Sequence, residues 1–172
     1  HALEHEHTIY FNAPTGSGKT MAVLYPSLKG FADKNDTKIF FLTAKGSGKA
    51  QAENALRVTR AKALVKRTTV NAKEKMCLND KIACNPDECP YAVNYYGKVR
   101  AALIDAFRSE DDYNNETIMK YATKHNLCPF EYQLDLTLLS DVIIADYNYL
   151  FDPFVYLRRF FDKKIGNYLA LI

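Results

Sequence analysis

At 172 residues, with 48% hydrophobic residues and a formal charge of +3, the chain has the size of one domain, or of a domain with a sizeable insertion, and enough apolar matter for a core. No apolar run approaches the roughly 18 residues that span a bilayer. The opening, HALEHEHTIYF, lacks the basic and apolar regions of a signal peptide, so the expectation is a cytoplasmic protein with no membrane partner.

In chain order, residues 8–12 (TIYFN) read as a β-strand running into APTGSGKT at 13–20. A helix over 19–32 follows, with Met21, Leu24, Tyr25 and Leu28 on one face. Strand, glycine-rich loop and helix together make the context of a phosphate-binding loop. Gly16 and Gly18, with Ser17 between them, let the backbone curl so that its N–H groups face phosphate oxygens. Lys19 can reach the β- and γ-phosphates, and the Thr20 hydroxyl can join a Mg²⁺ shell. Ala13 stands where such loops begin with glycine, a small-residue change that keeps the cradle.

A strand over 38–43 leads to a second GSGK at 46–49. It is no second nucleotide site, because Thr43 replaces the leading small residue and Ala50 has no hydroxyl. It reads as a loop at the carboxyl end of a strand, where ligands of open α/β sheets bind, and a nucleic-acid phosphate would suit it. A helix over 49–63, strands at 64–70, 141–146 and 168–172, and a helix over 147–161 complete a parallel, doubly wound α/β pattern. Lys and Arg crowd 57–75 and acids crowd 105–116. A solvated basic face is the commoner meaning of such a run, with phosphate contact the sharper one.

Residues 74–138 differ in composition and read as an insertion, with helices over 95–107 and 116–126 and little core of its own. Tyr91, Tyr95, Tyr96 and Tyr121 read as core side chains rather than base-stacking platforms. All four cysteines lie here, as Cys77-x6-Cys84-x4-Cys89-Pro-Tyr and then Cys128-Pro-Phe. Disulfides do not suit a chain with a nucleotide loop and no export signal. Three readings stay open: a [4Fe–4S] cluster, which tolerates wide ligand spacing; a structural zinc, which usually shows closer pairs; and unrelated buried thiols. Both Cys-Pro-aromatic turns favour a metal. Proline fixes the turn, and the aromatic can shield the site.

APTGSGKT, FFLTAK, the ordered cysteines and DVIIADYNYLFDP together resemble the iron–sulfur superfamily 2 DNA helicases of the DinG/XPD-like group, in particular its bacterial DinG branch. The resemblance covers residues 8–172. It implies a RecA-like P-loop parallel sheet with an inserted, mainly helical iron–sulfur domain: a first part of motor domain 1 over 8–73, the cluster insertion over 74–138, and a return to the motor domain over 139–172. It implies an ATP-dependent 5′–3′ helicase of the DNA repair type that uses Mg²⁺ and moves on single-stranded DNA, with the cluster domain as a wedge at duplex junctions. By position, Gly16, Ser17, Gly18, Lys19 and Thr20 match the nucleotide loop, Lys19 and Thr20 being the catalytic pair. Cys77, Cys84, Cys89 and Cys128 match the [4Fe–4S] ligands, and Lys45 and Lys73 match nucleic-acid contacts. The acidic box that would follow Ile172 and the second motor domain are missing from the pattern, so the chain reads as a fragment that would not turn over ATP by itself. The alternative is a zinc-stabilised nucleic-acid-binding P-loop module without helicase activity.

Overall fold

In the computed structural model, residues 7–14, 16–31, 37–44, 46–59, 65–152, 160 and 167–172 are described. Five parallel strands form one sheet: β1 (Thr37–Thr43), β2 (Arg67–Thr69), β3 (Asp112–Tyr113), β4 (Val142–Asp146) and β5 (Asn167–Leu171), in the order β3-β2-β4-β1-β5. The helices are α1 (Lys19–Phe31), α2 (Gly46–Thr59), α3 (Lys73–Met76), α4 (Tyr95–Ser109), α5 (Asn115–Lys124), α6 (Pro129–Leu136) and α7 (Asn148–Phe151). The fold is α/β and RecA-like. No described helix is long and apolar enough to cross a membrane.

Strand periodicity divides the core in two. Ile39, Val142 and Ile144 face Leu24 of α1 and Ala52 and Leu56 of α2. Phe40, Leu42, Ile143 and Ala145, the alternate residues, face the opposite way. There they meet Tyr95, Val99, Ala102, Tyr121, Tyr132 and Leu134, all from the 74–138 segment. Central strands covered on both faces read as continuous apolar runs, which is why VIIA in β4 is buried throughout.

The 74–138 segment therefore has no core apart from the sheet; its apolar side chains complete one face of it. It also supplies β3, the edge strand, which was not legible as a strand because it is only two residues long. Charge holds it there. Buried Arg67 grips both carboxylate oxygens of Asp112, its Nε at 2.8 Å, and donates to the Glu53 carbonyl of α2 at 2.7 Å. Lys66 caps the end of α4, donating to the Phe107 and Glu110 carbonyls at 2.8 Å each and pairing with Asp111 at 2.9 Å. Part of the basic run at 57–75 is thus spent on the acidic run at 105–116.

Several expectations are corrected. Residues 8–12 form no strand: 7–14 are irregular, and Ile9, Tyr10 and Phe11 are exposed. Their backbone pairs with no described ladder, and three apolar residues do not hold an extended segment without one. GSGK at 46–49 is the first turn of α2, not a loop. A Cβ on Gly48 would collide with the Thr43 side chain, so glycine there serves the close approach of helix to strand. Tyr25, expected on the buried face of α1, is half exposed, and Ser27 is buried in its place. Of the helix expected over 147–161, α7 is described as far as Phe151, and most of the rest lies outside the described residues.

Replacing Arg67 by alanine leaves the Asp112 carboxylate without its partner. The carboxylate left behind is half-buried, so the loss falls below that of a fully buried pair, at about 2 kcal/mol, and urea unfolding should show a loss of stability of that size. A value under about 0.5 kcal/mol, the usual range for a surface position, would mean that the pair does not hold β3.

Candidate functional site

The loop at 13–20 has the curl that its glycines predict. Gly16 and Gly18 have φ of 84° and 78°, left-handed values that other residues rarely adopt. Nothing lies within 4 Å of a Cβ built at either position, so the requirement is conformational rather than steric. The Ser17 hydroxyl donates to the Pro14 carbonyl at 2.8 Å. Lys19 opens α1 and folds back, donating to the Ala13 and Pro14 carbonyls at 2.7 Å each. Its ammonium thus closes the loop on itself; a phosphate would compete with two carbonyls for it. Thr20 is the second residue of α1 and half-buried.

A cleft of about 840 Å³ opens at the carboxyl ends of β2 and β4, beside the start of α2. Lys49, Lys73 and Lys75 bring positive charge to its wall; Glu53, Glu74, Asp146 and Asp152 bring negative charge; Asn71, Asn148 and Tyr149 are neutral and polar. Lys49 donates to the Val70 carbonyl at 2.7 Å. Burial holds its pKa below the usual lysine range, with Lys75 adding to the effect and Asp146 and Glu53 opposing it. Lys45 lies outside the described residues. Among the described residues, none of the 13–20 loop lines this cleft.

The four cysteines, spread over 52 positions of the sequence, line one cavity of about 280 Å³. All are free thiols. Backbone bonds place them: Cys77 ends α3 with its N–H on Lys73, Cys89 closes a turn on Asn85, and Cys128 is the N-cap of α6. The Cys128 N–H donates to the Tyr91 carbonyl at 3.1 Å, joining the two Cys-Pro-aromatic turns. Burial pushes the Cys128 thiol up. Among the described residues, no three His, Cys, Asp or Glu side chains group closely enough to hold one metal ion. The thiols instead stand around a shared space, and four thiolates are the donor set that a [4Fe–4S] cluster requires.

Lys73 belongs to both cavities. Its ammonium lies 3.7 Å from the Cys84 sulfur and 5.0 Å from the ring centre of Phe130, which also lines both. The expected nucleic-acid contact therefore sits in the wall between cleft and thiols. Of the tyrosines expected in the core, Tyr95 and Tyr121 are buried. Tyr96, on the rim of the thiol cavity, is exposed.

Sequence reasoning missed Gln133. It is fully buried, and its side-chain amide accepts from the Asn71 N–H at 2.9 Å and donates to the Asn71 carbonyl at 2.8 Å. The available signal was a lone glutamine among the apolar positions of PFEYQLDL. Tyr149 donates to the same carbonyl at 3.2 Å.

Burial, with Asp146 and Glu74 nearby, pushes the Tyr149 phenol up to about 12. Tyr113 rises to about 12 through burial, with Asp111, Asp141 and Glu110 adding to it. Both folded values exceed the ordinary 10.0, so the protonated phenols contribute stability that is intact below pH 10 and lost as pH rises towards 12. Chemical denaturation at a series of pH values should show stability falling across that window, less steeply in Tyr149→Phe. A flat profile would contradict these environments.

The DEAD_2 family profile matches residues 56–167. The "Regulator of telomere elongation helicase 1 homolog" of Caenorhabditis elegans is 26% identical over 203 aligned positions, covering 92% of this chain and 20% of that protein. Its Caenorhabditis briggsae counterpart is 24% identical over the same shares. The chain thus spans about a fifth of the length of these curated relatives. Among solved structures, "XPD_Helicase" superposes with a TM-score of 0.65 at 21% identity, over 98% of this chain and 29% of that one. "Truncated XPD" gives 0.59 at 21% identity, over 88% and 43%. Identity at that level shows a shared fold. The profile takes in well over half of the sequence, and on that ground the chain belongs to the DEAD_2 family.

Proposed function

We propose that this chain is the first RecA-like motor domain of a 5′–3′ DNA helicase. ATP with Mg²⁺ binds at Gly16, Ser17, Gly18, Lys19 and Thr20, and single-stranded DNA lies in the carboxyl-edge cleft. The observation that carries the reading is the wall common to two cavities, in which Lys73 and Phe130 face both the carboxyl-edge cleft and the four thiols. A groove that can track a phosphate backbone suits single-stranded DNA. The helicases among the relatives and structural neighbours support the class. The DinG branch, the division at 8–73, 74–138 and 139–172, and a second motor domain as partner rest on the motif pattern; four unpaired thiols suit a reducing, cytoplasmic setting.

Cys77, Cys84, Cys89 and Cys128 would hold the [4Fe–4S] cluster, which in this position would serve as a staple and bring no reaction step. What supports this reading is that all four thiols line one cavity, four thiolates being the donor set of such a cluster. Lys49 and Lys73 would meet phosphates, with Lys45 as a further candidate. Recognition would be electrostatic and largely indifferent to sequence.

Anaerobically purified chain should carry about four irons and four sulfides, the content of one cubane; one zinc and no sulfide would replace the reading with a zinc-stabilised binding module. Oligo-dT binding should weaken with salt, and Lys49→Ala should lower the log–log slope by about 1. Salt-independent binding would contradict the cleft assignment. In calorimetry with Mg²⁺ and a non-hydrolysable ATP analogue, Lys19→Ala should abolish binding that the unaltered chain shows; equal binding by both would remove the loop from the proposal.

A further inference from the structure

The sheet ends early on the cleft side. β2 stops at Thr69, and the last ladder-like bond there is Val70 N–H to the Ile144 carbonyl at 2.8 Å. Beyond it, the Asn71 backbone is satisfied by α6 instead of by a strand. Gln133 takes both its N–H and its carbonyl, as a neighbouring strand would. A buried amide is costly unless it is paired, and this one is paired at both ends with a single residue.

Gln133 and Phe130 are three positions apart and share a face of α6. One grips the Asn71 backbone; the other lies under the Lys73 ammonium. The same helix begins at Cys128, a wall of the thiol cavity. Five residues of helix, about 7.5 Å, separate that thiol from the glutamine, too short a span to flex. We infer that Gln133 is a positioning residue: through α6 it makes the order of the 71–75 segment, and so of the basic wall of the cleft, depend on whether the thiol cavity is filled. This inference rests on the proposed reading of the two cavities.

The test is hydrogen exchange in a peptide covering residues 69–73 of the 172-residue chain, which stops short of the proposed ligand Cys77, before and after anaerobic loading with ferrous iron and sulfide. Bound iron is measured in each sample. In the unaltered chain, loading should slow exchange about five- to tenfold, the worth of one ordinary buried hydrogen bond. Gln133→Met, of similar length without the amide, should take up the same iron and show no added slowing. Gln133→Glu keeps an acceptor for the Asn71 N–H but loses the donor to its carbonyl. It should show an intermediate effect, and it decides the matter if the methionine variant does not fold. A merely structural glutamine would speed exchange equally in loaded and unloaded protein, leaving the loading effect intact. That result overturns the inference, as does full loading of the unaltered chain without slowing. If no iron binds, the same comparison is made with cadmium, a thiophilic ion needing no sulfide, and the same outcomes decide it. A chain that loads with neither overturns the inference together with the cluster reading; loading without coupling overturns the inference alone.

Discussion

The pairing of Lys66 and Arg67 with Asp111 and Asp112 is the contact on which the arrangement of the molecule depends. It joins two segments 45 residues apart and makes the edge of the sheet out of a two-residue strand. Once β3 is held beside β2, α4 must end where Lys66 can cap it, and α5 and α6 must return across the sheet towards β4. Two arginine bonds to one carboxylate are directional as well as strong, so this contact sets register as well as proximity. The face of the sheet left uncovered by α1 and α2 is thereby closed by the inserted segment.

That closure decides where the thiols stand. Cys77 and Cys128 sit at the ends of α3 and α6; α6 packs on β2, and α3 packs on α6. Cys84 and Cys89 belong to the turns between, with Cys128 tied to Tyr91 by a backbone bond. A cavity with four thiols therefore results from packing against strands, and a segment of this size with no separate core gains its stability from the shared one. A group bound by the thiols would add a staple between α6 and the segment that leads to Cys77.

The cleft and the thiol cavity are neighbours for the same reason. The 71–77 segment leaves the sheet at β2, passes along the cleft as Asn71 to Lys75, and reaches the first thiol at Cys77. α6 follows it from the other side, with Phe130 against Lys73 and Gln133 against Asn71. One short stretch of chain thus has a basic surface towards the cleft and a thiol at its far end.

The features legible in the sequence are those whose physical cause is local. Left-handed backbone at Gly16 and Gly18 follows from the residue type, and the two-sided burial of VIIA follows from an unbroken apolar run. The cysteine set stood out because no cysteine lay outside it, and α1 and α4 followed from helical spacing. What was misread depends on partners far along the chain. TIYFN has strand composition, but a strand exists only with a neighbour to bond. Lys66 and Arg67 looked like part of a solvated basic run until Asp111 and Asp112 met them. Gln133 was passed over, because what sets it apart is the partner its amide meets, Asn71, 62 positions away. Composition and spacing determine which groups need satisfying; only the tertiary fold decides which partner satisfies each, because hydrogen bonds and ion pairs form between positions in space.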